Sequence, residues 1–251
     1  MSNPKNCCKK FWFTYRLITI IKKLSIWHCY IILLHFLLLI SISKTNFITL
    51  TKNKLGIKTT SNPFLQDMRI FHYRMDASVS NRAVIFLGDS HTQSLATEAI
   101  APYSVNYGIG GQTVEQLLET IAGYHSLKRA KIIFLAIGTN DLNKLVQNSW
   151  ATKFEQLLAA LPPHIPLVWS SIMPMQHIMV SSQNIIEANH VIKTLCSQRQ
   201  NCVYVDTWQF FTDTNGQMIK RYFLEDGIHL SPEGYHLWIE ALQHAMHNIT
   251  D

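Results

Sequence analysis

At 251 residues, 47% of them apolar and 15% charged, the chain is long enough for one sizeable domain with an appendage. Its net charge of +6 is uneven: residues 1–66 hold ten Lys or Arg and no acidic residue, whereas residues 67–251 hold twelve basic and sixteen acidic residues. The globular part has no basic stripe or nucleic-acid motif, which argues against a nucleic-acid partner. Of the five cysteines only Cys196 and Cys202 belong to the globular part, too few for a disulfide scaffold and wrongly spaced for zinc.

Residues 1–23 form a basic, partly aromatic lead (Phe11-Trp12-Phe13) suited to a membrane surface. From Leu24 to Ser43 run twenty residues without a formal charge, about the length a helix needs to cross a bilayer core. Residues 24–43 are therefore expected to be a single transmembrane anchor, with His28 and His35 inside it. Six basic residues precede the span and four follow it closely, which favours a cytoplasmic N-terminus and a globular domain on the extracytoplasmic side. A cleaved signal peptide ending near Ser41-Ile42-Ser43 is the rival reading, disfavoured by the length of the apolar run. Residues 44–80, rich in Thr, Asn, Ser and Lys, read as a tether, with Phe64 to Tyr73 as the part able to pack on the domain.

From Asn81 the pattern alternates. Strands are expected at Val84–Leu87, Ser104–Asn106, Ile132–Ile137, Leu167–Ser170 and Val203–Val205. Helices are expected at Thr92–Ala101, Thr113–Ala122, Thr152–Ala160, Asn184–Cys196 and Pro232–His247. The last opens with Ser231-Pro232, a cap followed by proline at the first helical position. Short apolar strands alternating with helices imply an α/β fold. The expected form is one three-layer domain, residues 81–251, around a mostly parallel five-stranded sheet in flavodoxin-like order.

Four stretches at expected strand ends carry chemistry. Gly88-Asp89-Ser90 follows the first strand, where Ser90 can act as a nucleophile and either Asp89 or Ser90 can equally cap a helix. Gly108-Ile109-Gly110-Gly111 follows the second, and such glycines let backbone N–H groups approach an anion. A phosphate loop is poorly supported there, since no Lys-Ser/Thr follows. Asn140, after the third strand, offers an amide that can meet an oxyanion or close an Asx-turn. His229 precedes the last helix as a possible general base, with Asp226 three residues earlier able to orient its ring. Together they make the inventory for acyl transfer.

In this order the four stretches resemble the SGNH/GDSL hydrolase family of esterases, lipases and acetylhydrolases: Gly88-Asp89-Ser90, Gly111, Gly138-Thr139-Asn140-Asp141 and Asp226-Gly227-Ile228-His229. The match runs from Asn81 to the C-terminus. The resemblance implies that Ser90 is the nucleophile, His229 the base and Asp226 its orienter. It also implies an oxyanion hole formed by the N–H of Ser90, the N–H of Gly111 and the side chain of Asn140. Asp89 and Asp141 would be structural. The chain departs from the family at His91, where the family name implies leucine. Its Gly110-Gly111-Gln112-Thr113 loop is closer to the acetylhydrolase branch.

The implied reaction is ester hydrolysis through an acyl-enzyme, with no metal or cofactor. The intervals from Ser90 to Gly111 and from Gly111 to Asn140 are too short for a large lid. The loop from Met173 to Gln183 carries Met173, Met175, Ile178 and Met179, which suit either a lipid or ordinary packing. An open site favours a short acyl, such as acetyl, on an envelope glycan. A lysophospholipid or other lipid ester is the second choice, and a silent glycan-binding protein is the alternative outside catalysis. In an oxidising compartment Cys196 and Cys202 would be able to pair.

Overall fold

A computed structural model describes residues 26–40, 62–142, 150–177 and 180–250. The chain divides into two units, Met1–Ser61 and Asn62–Asp251. In the first, the described residues form helix α1 over 26–40, exposed along its whole length. No described helix is long and apolar enough to cross a membrane. The ends of the expected span, 24–25 and 41–43, lie outside the described residues, as do the basic lead and residues 44–61.

The second unit begins earlier than expected. Part of the stretch read as a tether is helix α2 (Pro63–Asp76), started by Pro63 with Asn62 as its cap. Its buried face is fastened by polar groups as well as by Leu65. Asp76, 1% exposed, accepts from Tyr107 Oη (2.9 Å), from the N–H groups of His125 (2.8 Å) and Ser126, and from the Ser126 hydroxyl. Arg69 donates to Thr120 Oγ1 (2.7 Å) and to the Gln116 carbonyl (2.6 Å). The domain therefore starts at Asn62, not Asn81.

The five strands are β1 (Val84–Gly88), β2 (Ser104–Asn106), β3 (Ile132–Ala136), β4 (Leu167–Ser170) and β5 (Cys202–Val205). They form one sheet in the order β2-β1-β3-β4-β5, every pairing parallel. This is the expected flavodoxin-like order. The helices that follow are α3 (Ser90–Gln93), α4 (Val114–Ile121), α5 (Thr139–Leu142), α6 (Trp150–Ala160), α7 (Ser182–Gln198), α8 (Trp208–Phe211) and α9 (Pro232–Thr250).

Alternate residues of the strands serve opposite faces. Ile85, Leu87, Ile133, Leu135, Leu167 and Trp169 pack with residues of α4, α6 and α7. Val84, Phe86, Ile132, Phe134 and Val168 pack with Trp238, Leu242 and Ala245 of α9. A sheet covered on both faces explains why β1 and β3 read as unbroken apolar runs. Cys196 near the end of α7 and Cys202 at the start of β5 are joined by a disulfide.

One expected helix is cut short. Thr92–Ala101 is replaced by the single turn α3, an irregular stretch and a 3-10 turn at Thr97–Ala99. The Asn106 side-chain amide donates to the carbonyls of Thr92 (2.7 Å) and Leu95 (3.1 Å), which meets acceptors that a longer helix would have bonded internally.

Candidate active site

The site lies at the C-terminal edge of the sheet, beside the point where strand order reverses between β2-β1 and β3. Gly88 ends β1, and a Cβ there would collide with the Ala136 carbonyl oxygen of β3 and with Thr92 Oγ1. The glycine is required by this close approach, since its backbone is not in the left-handed region. Asp89 caps α3 through the His91 N–H (3.1 Å), and Ser90 is the first residue of that turn. The two alternatives at Gly-Asp-Ser thus divide between neighbours: Asp89 is the cap, and Ser90 is left to face outward at the sheet edge.

Ser90, His229 and Asp226 form one hydrogen-bonded chain across 139 residues of sequence. His229 Nε2 lies 3.0 Å from Ser90 Oγ, and His229 Nδ1 lies 2.6 Å from Asp226 Oδ2. The other oxygen, Asp226 Oδ1, accepts from the N–H groups of Ile228 (2.9 Å) and His229 (3.0 Å), so the carboxylate orders its own loop. Partial burial would raise the Asp226 carboxyl. The His229 imidazole and those two N–H groups outweigh it and hold the group at about 2. Asp226 is therefore ionised at neutral pH.

The glycine loop sits on the turn that bears Ser90. The Gly110 N–H donates to Gln93 Oε1 (2.6 Å), and a Cβ on Gly110 would lie 3.9 Å from Ser90 Cβ. Gly111 has φ +74° and open space around its missing Cβ, so its glycine answers to conformation and not to crowding. Asn140, in α5, donates from Nδ2 to the Gln112 carbonyl (3.1 Å), which ties its amide to the residue after Gly111. That bond uses one of its two N–H groups and leaves the other for a ligand. Asp141 Oδ2 accepts from Val114 N–H (3.0 Å) at the start of α4, and Thr113 caps the same helix in a capping box with Gln116. Asp89 and Asp141 thus hold backbone groups, while Ser90, His229 and Asp226 meet directly.

Two residues near the site carry more than the sequence suggested. His91 is buried at 4% exposure, with Nδ1 3.2 Å from Asp89 Oδ1 and Nε2 2.9 Å from the Ile228 carbonyl. Phe64 of α2 lies against the site, since a Cβ on Gly110 would be 3.7 Å from Phe64 Cε1. The sequence marked Phe64 to Tyr73 as able to pack on the domain but gave no sign that Phe64 lies beside the site. Met173 and Met175, by contrast, are 5% and 8% exposed and belong to the two cores. Ile178 and Met179 lie outside the described residues.

A covered parallel sheet with this hydrogen-bonded chain at its C-terminal edge defines a hydrolase of the α/β, SGNH-like class. Residues 86–237 match the model of the GDSL-like lipase/acylhydrolase family, and the chain belongs to that family. It is a carboxylic ester hydrolase.

Solved structures agree on the fold. A Streptococcus pneumonia protein given as a platelet activating factor is 24% identical, with a TM-score of 0.65 over 80% of this chain and 96% of that one. A GDSL-like lipase from Bacteroides thetaiotaomicron is 18% identical, with a TM-score of 0.60 over 72% and 97%. An acetylxylan esterase from Geobacillus stearothermophilus is 17% identical, with a TM-score of 0.55 over 66% and 94%. No curated protein sequence matches the chain at a significant level.

Proposed function

We propose that the protein is a serine esterase that removes a short acyl group, acetyl above all, from an envelope glycan. The observation that carries this reading is the chain Ser90 Oγ–His229 Nε2 (3.0 Å) and His229 Nδ1–Asp226 Oδ2 (2.6 Å). His229 takes the Ser90 proton as Oγ attacks the ester carbonyl. The N–H groups of Ser90 and Gly111 and the free amide proton of Asn140 receive the negative charge. The proton passes to the leaving alcohol, and a water then repeats the attack on the acyl-enzyme.

The short-acyl preference is supported by the burial of Met173 and Met175, whose side chains are taken up by the core. The structural likeness to an acetylxylan esterase is compatible with it. A lipid ester is the second reading. It is favoured by Phe64 beside Gly110 and by the exposed Ile70, Phe71 and Tyr73 on the same helix. Residues 24–43 would anchor the chain with its N-terminus inside and the catalytic domain outside, a topology in keeping with the Cys196–Cys202 disulfide.

The test is an ester panel of acetyl, butyryl and octanoyl p-nitrophenyl esters, acetylated glycans and lysophospholipids, together with a serine-directed fluorophosphonate. The expected results are highest kcat/KM on acetyl esters, labelling of Ser90, and neither turnover nor labelling in Ser90→Ala. A steady rise of kcat/KM with acyl length would replace the glycan reading with the lipid one. Label on a residue other than Ser90 would remove the site assignment.

A further inference from the structure

The residue after Ser90 has chemistry that the hydrolysis described above does not use. Both ring nitrogens of His91 face acceptors: Nδ1 meets Asp89 Oδ1 at 3.2 Å, and Nε2 meets the Ile228 carbonyl at 2.9 Å. A carbonyl oxygen only accepts, so Nε2 must carry a proton. If Nδ1 were then bare, two lone pairs would face each other in a place where the histidine is 4% and the aspartate 1% exposed. Asp89 also has a second buried oxygen, Oδ2, with no donor among the described residues. A buried carboxylate so placed needs a cation beside it. An imidazolium at His91 supplies that cation, a donor for Asp89 Oδ1 and a donor for the Ile228 carbonyl.

The position of that ring makes it consequential. Ile228 immediately precedes His229. Its carbonyl is therefore the nearest rigid point through which the nucleophile turn can set the height of the base. The loop is fixed on its other sides by Asp226 Oδ1, by the Gln176 N–H donating to the Gly227 carbonyl (2.8 Å), and by the Leu224 N–H donating to the His229 carbonyl (2.7 Å). The His91 backbone carbonyl in turn accepts from Tyr235 Oη of α9 (3.0 Å). We propose that His91 is a positioning residue: as a buried imidazolium it clamps the loop bearing His229 to the turn bearing Ser90, and so holds the 3.0 Å contact between base and nucleophile. This rests on the reading of Ser90 and His229 as nucleophile and base.

The charge of His91 works against the reaction, which fixes the sign of the test. Its ring centroid is 5.7 Å from that of His229, which becomes cationic during turnover. The benefit of His91 must therefore come from geometry. Burial pulls its pKa down. The Asp89 hydrogen bond and charge, the Ile228 carbonyl and the Asp226 charge outweigh it, and the net shift is upward. The groups facing the ring or its backbone are Asp89 on its own turn, Asp226 and His229 on the loop, and Tyr235 on α9. With a raised folded pKa, the clamp is complete below the ordinary histidine value, and its Asp89 half is lost as pH rises through the folded one, leaving a neutral ring held only by Nε2–H on the Ile228 carbonyl.

The experiment compares the full-length wild type, His91→Leu and His91→Gln on p-nitrophenyl acetate between pH 6 and 10. The rate of fluorophosphonate labelling, thermal melting and 15N-histidine NMR are recorded alongside. The expected result at pH 7 is a kcat at least tenfold lower in His91→Leu, with KM within about twofold. His91→Gln, which keeps one donor for the Ile228 carbonyl, should recover part of the loss. The wild type should show an alkaline decline in kcat that both variants lack, and NMR should find both His91 nitrogens protonated at pH 7.5. Unchanged or increased kcat in a folded His91→Leu would overturn the clamp, as would a neutral His91 in the wild-type spectrum. If His91→Leu does not fold, His91→Gln and the wild-type spectrum decide the matter. A wild type that turns over ester without labelling at Ser90 would instead overturn the site reading, and the NMR result would still judge the charge on His91.

Discussion

His229 meets Ser90 through a single nitrogen, while its other nitrogen and its backbone N–H both lean on Asp226. Asp226→Asn should therefore lower kcat less than His229→Ala, because it disturbs the orientation and tautomer of the base without removing it. The folded pKa of Asp226 is lowered to about 2, so its contribution is complete above the ordinary aspartate value and is lost only as pH falls towards 2. Any loss of activity measured above pH 4 should accordingly keep its shape when ester hydrolysis is profiled against pH in Asp226→Glu. On the proposed mechanism Asn140→Ala removes one oxyanion donor. It should reduce kcat about 10²- to 10³-fold with little change in KM, as steady-state kinetics would read directly. Gly111→Ala should destabilise the loop by about 1–2 kcal/mol because its φ of +74° disfavours a Cβ, and denaturant melts would register the cost.

At the scale of elements, α2 is a structural part of the hydrolase domain. Asp76 gathers the Tyr107 and Ser126 hydroxyls and two backbone N–H groups, all of which lose their acceptor in Asp76→Ala. Orphaning several buried donors at about 1–3 kcal/mol each should lower stability by about 3 kcal/mol or more, measurable by urea melts. His72 on the same helix is 2% exposed, and burial lowers its pKa to about 4. A depressed histidine pKa means that the unfolded chain takes up a proton that the folded chain refuses. Stability should therefore fall as pH drops from about 6.5 towards 4. The Tm of the wild type should decline more steeply over that window than the Tm of His72→Leu. Equal slopes would show that His72 is not the group responsible.

For the whole molecule, the uneven charge and the apolar residues 24–43 separate an N-terminal region from a mildly acidic enzyme. On the proposed topology the disulfide forms after export. Closing so small a loop, with a sequence separation of 6, contributes about 2 kcal/mol by chain entropy. Cys196→Ser should lower the unfolding free energy by that amount, read from denaturant melts, while leaving kcat unchanged, since the bridge lies at the strand end opposite the site. Mass spectrometry finding two free thiols in protein purified without reductant would remove this stabilisation from the account.

The order of five strands, and the four polar stretches at their C-terminal ends, were legible because a sheet buried on both faces demands unbroken apolar runs. Catalytic groups at a strand edge must interrupt those runs with glycine and polar residues. Position marked the stretches that hold Ser90, Gly111, Asn140, Asp226 and His229, and the family resemblance supplied the roles expected of them. What the linear pattern could not determine is which groups meet across long separations. The buried face of α2 is carried by Asp76, His72 and Arg69, whose partners lie about fifty residues away, so the helix lacked an apolar period and read as a tether. The early end of α3 depends on an asparagine in the next strand. The role of His91 depends on a carbonyl 137 residues distant. Local periodicity sets where strands and helices form, but a buried polar contact acquires its meaning only when the tertiary fold supplies the partner.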